Sequence, residues 1–394
     1  MKKRIKGQTS ALVFSTFAMI ISFAVWSVIA PIATDIQELY DLSELQKSLL
    51  VVTPVILGSI MRIPMGVLTD QHGGKKVYTL TMLALVLPMF AAGFTTSYSI
   101  LLFFTFLIGM AGTTFAIAVT YVTRWFSPEK QGLALGITGM GNLGTAVASF
   151  TVPSIYSNFG LEWVYWTFAI AIGMMACMFW LGTKELPKPK QVNTLKQSMS
   201  VITLRQTWVL SLFYFLTFGG FIAFSLYLPA IVQETYGFSA VHAGFIVAGF
   251  VVVATCIRPL GGYLADVFKP LRVLKWLFVG IIVFASFMAF TGSSFPLFSL
   301  SCAVMAALLG AGNGAVFKLV PEVSPINTGA VTGIVSAVGG IGGFFPPVAL
   351  GVIKGMTGGY GFGFLLLAVF TAGCLLVIPY ISRTRNIKEA HIMY

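Results

Sequence analysis

Apolar residues run along this chain in long stretches, and polar residues collect in the short gaps between them. Twelve stretches can be bounded: 11–33, 48–69, 77–96, 99–122, 132–156, 163–182, 206–232, 243–265, 274–291, 296–317, 328–353 and 360–381. Each is near the roughly 20 residues that an α-helix needs to cross the hydrocarbon core of a bilayer. A helix satisfies its backbone hydrogen bonds within one segment, which a lipid environment demands. The pattern therefore predicts an all-α integral membrane protein of twelve transmembrane helices. The first stretch follows Met1-Lys2-Lys3-Arg4, as in a signal peptide. It is longer than the roughly 7–15 residues of a signal-peptide apolar region, so it reads as a retained span. The longest connection, 183–205, holds Pro187, Pro189 and five basic residues. It divides an N-terminal six-helix half (1–182) from a C-terminal six-helix half (206–394) and reads as a cytoplasmic linker.

Composition agrees: 57% of residues are hydrophobic and 9% charged, against about 25% charged in a soluble domain. A net charge of +12 on a soluble protein would point to nucleic acid. Here the positions of the charges give another reason for it. With alternating spans, twenty of the 24 Lys and Arg residues fall on one side of the membrane, and only Lys47 and Lys354 on the other. The positive-inside bias puts the twenty, and both termini, in the cytoplasm. The expectation is a multi-pass, monomeric protein of the cytoplasmic membrane with the lipid bilayer and no nucleic acid as a partner. Cys177, Cys256, Cys302 and Cys374 lie far apart in apolar stretches and read as small packing residues. No metal-ligand spacing and no nucleophile–base set is visible, so neither an enzyme nor a metal or other cofactor is expected.

The two remaining basic residues, Arg62 and Arg258, lie inside apolar stretches and open matching sequences. Arg62-Ile63-Pro64-Met65-Gly66-Val67-Leu68-Thr69-Asp70 and Arg258-Pro259-Leu260-Gly261-Gly262-Tyr263-Leu264-Ala265-Asp266 both place Gly at +4, Leu at +6 and Asp at +8. Each arginine lies about 21 Å along its helix from the outer end, at 1.5 Å per residue. A charge at that depth costs roughly 2.5–3.5 kcal/mol on insertion scales and marks a functional candidate. No acid lies at the same depth. Duplicated arginines therefore predict one anion site shared by two pseudo-symmetric halves that rock about it. The planar guanidinium suits a planar oxyanion, since it offers two parallel hydrogen bonds.

Other features repeat as well. Gly141-Asn142-Leu143-Gly144 matches Gly339-Gly340-Ile341-Gly342, and Gly112 with Phe115 resembles Gly312-Asn313-Gly314 with Phe317. Glycine lets membrane helices approach closely, and packing is the simplest reading of these runs. Asn142 adds a polar amide that can donate to an anion. Tyr214, Phe218 and Phe221, with Phe23, Trp26 and Phe115, offer an aromatic wall, and the Tyr214 hydroxyl needs a partner at depth. Gly66 to Lys76 forms a tight basic turn, partly copied at Gly262 to Asp266, that reads as a latch between helix ends carried by Asp70 and Asp266. It lacks the Gly-Lys-Ser/Thr ending of a phosphate-binding loop.

The Gly66–Lys76 turn and its copy resemble the signature loop of the major facilitator superfamily. Within that superfamily the chain resembles the nitrate/nitrite porters over nearly its full length. Gly139-Met140-Gly141-Asn142-Leu143-Gly144 and Gly339-Gly340-Ile341-Gly342-Gly343-Phe344 are similar to the two glycine signatures of that branch. Gly112-Thr113-Thr114-Phe115, Tyr214 to Gly219 and Gly312-Asn313-Gly314 fit it too. Thr113 departs from some relatives, and the second-half loop lacks the basic ending. The resemblance implies the major facilitator fold and a carrier of nitrate and nitrite. In that reading Arg62 and Arg258 clamp the ion, Tyr214 and Asn142 hydrogen-bond it, and Phe115, Phe218 and Phe23 enclose it. Gly141, Gly144, Gly339, Gly340 and Gly342 let helices bend or slide as the carrier alternates. The spans contain no buried carboxylate relay, and His72, His242 and His391 lie in loops or the tail. Nitrate/nitrite exchange is thus expected over uniport. The alternatives are a proton-coupled nitrate importer, a carrier of a carboxylate or phosphate ester, and a membrane sensor or enzyme on the same scaffold.

Overall fold

The computed structural model describes residues 7–187, 195–290, 294–343, 353–354 and 356–392. The basic tail 1–6, linker residues 188–194 and Phe344 of the second glycine signature lie outside the described residues, as does most of the predicted span beyond residue 343. Eleven helices are long and apolar enough to cross a membrane: α1 (Gln8–Leu39), α2 (Leu45–His72), α3 (Gly74–Ala92), α4 (Tyr98–Thr123), α5 (Pro128–Phe159), α6 (Leu161–Gly182), α7 (Arg205–Tyr236), α8 (His242–Val267), α9 (Pro270–Phe290), α10 (Phe295–Val323) and α12 (Gly361–Pro379). Between the last two lies the shorter apolar helix α11 (Thr328–Ile341). No strand occurs among the described residues.

Helix ends follow local chemistry. Ser43 opens α2 with a capping box: Oγ accepts from the Gln46 N–H while the Gln46 side chain accepts from the Ser43 N–H. Gly73, at φ 91°, ends α2 and turns the chain into α3, a conformation that a Cβ would penalise. The Glu185 carboxylate accepts from the Lys75 N–H at 2.7 Å and so fills the donor-rich start of α3. Burial raises the Glu185 pKa above the usual carboxylate range, against the opposing pull of these backbone donors and Arg124.

Several helices are not α-helical throughout: α1 is interrupted after Trp26 by a 3-10 turn at Ala30–Ile32, and the other departures fall where the sequence motifs lie. Residue Met61 breaks α2 just before Arg62. Pro64, which has no N–H and crowds the carbonyl four residues back, explains the break. Gly109–Thr113 in α4 and Gly139–Asn142 in α5 tighten into 3-10 turns, and Phe215–Gly219 in α7 widens into a π turn. Such turns redirect carbonyls and side chains and are frequent at functional sites.

The chain forms two compact units. Unit 1 comprises 1–127, 137–201 and 324–337; unit 2 comprises 128–136, 202–323 and 338–394. In unit 1, α5 lies against α1 so closely that a Cβ on Gly144 would overlap the Ile20 carbonyl, and one on Gly141 would overlap the Met19 side chain. In unit 2, α7 approaches the end of α11 in the same way: a Cβ on Gly219 would sit 2.6 Å from the Gly342 carbonyl oxygen. Backbone contact of this kind is what small residues contribute in lipid, where apolar burial gives no net drive.

Two expectations need correction. The segment Gly66 to Lys76 is not a turn throughout: it is helical to His72 and again from Gly74, with Gly73 alone between, and its copy Gly262 to Asp266 lies inside α8. Lys318 was expected in a loop after a span ending at 317. It lies within α10, buried at 6% exposure, and its ammonium pairs with Asp266 at 2.8 Å. An apolar window ends at the first lysine it meets, so it cannot register a lysine neutralised by an aspartate on another helix.

Candidate functional site

In unit 1, Arg62 is 1% exposed. Its Nε donates to the Gly112 carbonyl at 3.0 Å and its Nη1 to the Ser336 carbonyl at 2.8 Å. The 3-10 turn of α4 presents the first acceptor, and α11 supplies the second. The guanidinium carbon lies 5.6 Å from the centre of the Phe115 ring, within reach of an attractive cation–π contact. Two carbonyl dipoles and a ring face thus hold the charge.

In unit 2, Arg258 is also 1% exposed. Its Nη2 donates to the Tyr214 hydroxyl oxygen at 2.9 Å. The Phe218 ring centre lies 6.0 Å from the guanidinium carbon. Tyr214 stacks on Phe218 with centroids 4.9 Å apart and planes 1° from parallel, and meets Phe317 edge-on at 4.7 Å. The π turn starts immediately after Tyr214 and helps set this stack. Gly339 lies against the tyrosine so closely that a Cβ there would overlap the ring.

Each unit therefore holds a buried arginine with an aromatic face, as the repeat implies. Phe317, the repeat partner of Phe115, joins the site through its edge-on contact with Tyr214. The offset that relates Phe115 to Phe317 is the signal for it in the sequence. The Ser336 carbonyl has no sequence signal, because every residue carries one. Phe23 is buried and packs on Trp26 at 5.3 Å, and the Trp26 indole N–H donates to the Pro54 carbonyl at 3.1 Å. Trp26 also faces Gly112, whose Cβ would lie 3.0 Å from the indole nitrogen, so Phe23 reaches the Arg62 cluster through that tryptophan. Asn142 is 4% exposed, and its Oδ1 has no hydrogen-bond partner among the described residues. An acceptor oxygen in that state suits a site that a water completes, and the amide N–H groups are what such a side chain offers an anion. Gly340 is buried at the end of α11.

The two aspartates occupy equivalent places. Asp70 Oδ2 accepts from the Gly329 and Ala330 N–H groups at 2.8 and 3.3 Å, at the start of α11. Asp266 accepts from the Gly132 and Leu133 N–H groups at 2.8 and 2.7 Å, near the start of α5. Each carboxylate meets the positive end of a helix. Alongside, Gly66 faces Gly329 and Gly262 faces Gly132, in pairs where a Cβ on either member would overlap the backbone of the other. The copies differ in one respect: Lys318 pairs with Asp266 and also donates to the Pro128 carbonyl. We expect Asp70→Asn to slow turnover several-fold while leaving substrate affinity nearly unchanged, since a charge at a helix start contributes about 0.3–1 kcal/mol. Initial rates of uptake over a range of substrate concentrations check this, and a large affinity loss at normal turnover would contradict the latch.

The fold and duplicated motifs define a two-half membrane carrier. A Major Facilitator Superfamily profile matches residues 15–347 and 214–391. The human organic anion transporter MFSD10 superposes with a TM-score of 0.79 at 12% identity, covering 94% of this chain and 99% of that one, which speaks for the fold alone. The chain belongs to the major facilitator superfamily, and its relatives narrow the placement to the nitrate/nitrite porter family. The "Nitrite extrusion protein" of Bacillus subtilis is 36% identical over 95% of both chains. The "Probable nitrate transporter NarT" of Staphylococcus haemolyticus is 39% identical, over 96% of this chain and 98% of that one.

Proposed function

We propose that this protein carries nitrate and nitrite across the cytoplasmic membrane by alternating access, exchanging one for the other, with both termini in the cytoplasm. The observation that carries the reading is the pair of buried arginines at duplicated positions, each set beside an aromatic face. The names of relatives about as long as this chain supply the identity of the anion.

Nitrate and nitrite are small, flat and singly charged. A guanidinium fork matches two of their oxygens, and ring faces restrict the site to a thin ion. In this reading Arg62 and Arg258 both serve the anion, Tyr214 and Asn142 donate to it, and Phe115, Phe218 and Phe23 bound the space. Arginine stays protonated, so an empty site holds two like charges that a bound anion offsets. The loaded carrier then reorients more readily than the empty one, which favours exchange. Asp70 and Asp266 latch helix starts in one state, and the glycine runs of α5 and α11 permit the change.

Purified protein in liposomes tests the proposal. Nitrate uptake is expected into vesicles preloaded with nitrite and to be near background in empty vesicles, with or without a pH gradient. Uptake into empty vesicles driven by an inward proton gradient would replace exchange with symport. No uptake under any condition, by protein that is folded, would remove nitrate as cargo.

A further inference from the structure

On unit 1, helices α2, α3 and α4 enclose a groove of about 630 Å³. Its walls are apolar over most of their length, with Leu68 on α2, Leu80, Ala84 and Leu87 on α3, and Leu107 on α4. One end differs: His72, at the close of α2, and Lys76, in the first turn of α3, line it together. Both are exposed, and among the described residues neither side chain makes a hydrogen bond or ion pair. From Lys76 to Pro88 at the far end the groove follows twelve residues of α3, about 18 Å of helix. One leaflet of a bilayer contributes about 15 Å of hydrocarbon.

We propose that this groove binds one anionic phospholipid of the leaflet on the Lys76 side. An acyl chain lies along Leu80, Ala84 and Leu87, and the phosphate is held by the Lys76 ammonium and the His72 imidazole. Length and charge together select this occupant. A second protein copy or a soluble apolar molecule would not require cationic and polar donors at one end of a leaflet-long groove. Neighbouring charges are already engaged. Lys75 donates to the Thr183 carbonyl at 2.9 Å and lies 4.4 Å from the Trp180 ring centre. Glu185 covers the start of α3, and Asp70 is held by α11. The phosphate therefore depends on the two side chains at the mouth. Juxtamembrane lysines attract anionic lipid through the same electrostatics.

Native mass spectrometry of the detergent-purified protein, titrated with palmitoyl-oleoyl phosphatidylglycerol or phosphatidylethanolamine, tests the assignment. Wild-type protein is expected to retain one phosphatidylglycerol in preference to phosphatidylethanolamine. The double variant Lys76→Gln/His72→Gln should lose that preference, by about fivefold for the lysine charge. Ala84→Trp, which fills the groove without touching the charges, should release both lipids. Melting temperatures near wild type establish that both variants fold. Equal retention of the two lipids by wild type, or lipid binding unchanged in Ala84→Trp, would overturn the proposal. So would a shift in oligomeric state with Ala84→Trp and no change in lipid, since a second copy would then occupy the groove. The readout is lipid and not nitrate, so failure here leaves the transport reading standing.

Discussion

Replacing Arg62 or Arg258 by lysine is expected to reduce nitrate uptake by on the order of 100-fold at unchanged expression. Hydrogen bonds to charged groups contribute roughly 1.5–3 kcal/mol each, so losing one or two from the transport cycle gives about that factor. Charge is conserved in both variants, and geometry is what changes. Arg62 spreads its nitrogens between the Gly112 and Ser336 carbonyls, on two different helices. A lysine has one nitrogen to serve both, with no planar fork for the anion. Arg258 meets Tyr214 through Nη2, and a lysine keeping that bond would present no parallel pair to an oxyanion. Initial uptake rates in proteoliposomes, at matched protein content, decide the matter. Wild-type rates in either variant would remove the arginine from the proposed site.

The second large effect is expected at the glycine pairs. Gly66→Ala and Gly262→Ala should each lower uptake at least about tenfold and lower the melting temperature. A methyl group is enough, because the Cβ of residue 66 would overlap the Gly329 carbonyl and that of residue 262 the Gly132 carbonyl. Cores tolerate little overpacking, and an added methylene typically costs about 1–3 kcal/mol. Here the obstacle is backbone, which cannot turn aside as a side chain can. Separating the helices would also stretch the bonds from Asp70 and Asp266 to the adjoining N–H groups. Alanine at Gly244 and Gly249, which have nothing within 4 Å of a new Cβ, serves as the control and should be neutral or slightly stabilising. Uptake by Gly66→Ala equal to that of the controls would show that the contact is not needed for transport.

The spans were legible because lipid imposes a simple rule on sequence, and hydrophobic runs marked most helices to within several residues. The exceptions are informative. In α1 the α-helix ends at Trp26, and after a 3-10 turn at Ala30–Ile32 a short helix from Ala33 to Leu39 carries Asp35 and Glu38 beyond the apolar run, since helical structure need not stop where an apolar run stops. Lys318 was misplaced because its neutralising partner is remote in sequence. At the site, buried arginines advertise themselves by their cost in a membrane, and the repeat pairs them. The acceptors that hold Arg62 are main-chain atoms, which leave no trace in residue identity. Neither do the 3-10 and π turns, because Gly139-Met140-Gly141-Asn142 reads equally as a packing stripe. Gly141 and Gly144 do pack on α1, while the Asn142 amide beside them still lacks a partner for its oxygen.

The facing glycines also limit how this protein can change over generations. A clash between two side chains can be repaired by shortening the other one. Gly66 faces Gly329 and Gly262 faces Gly132, so neither partner has anything left to shorten. A second-site suppressor of an alanine at these positions must therefore act at a distance, by altering the rest of a helix interface. Random suppressor screens on Gly66→Ala should return no substitution at Gly329, and these four positions should drift together hardly at all.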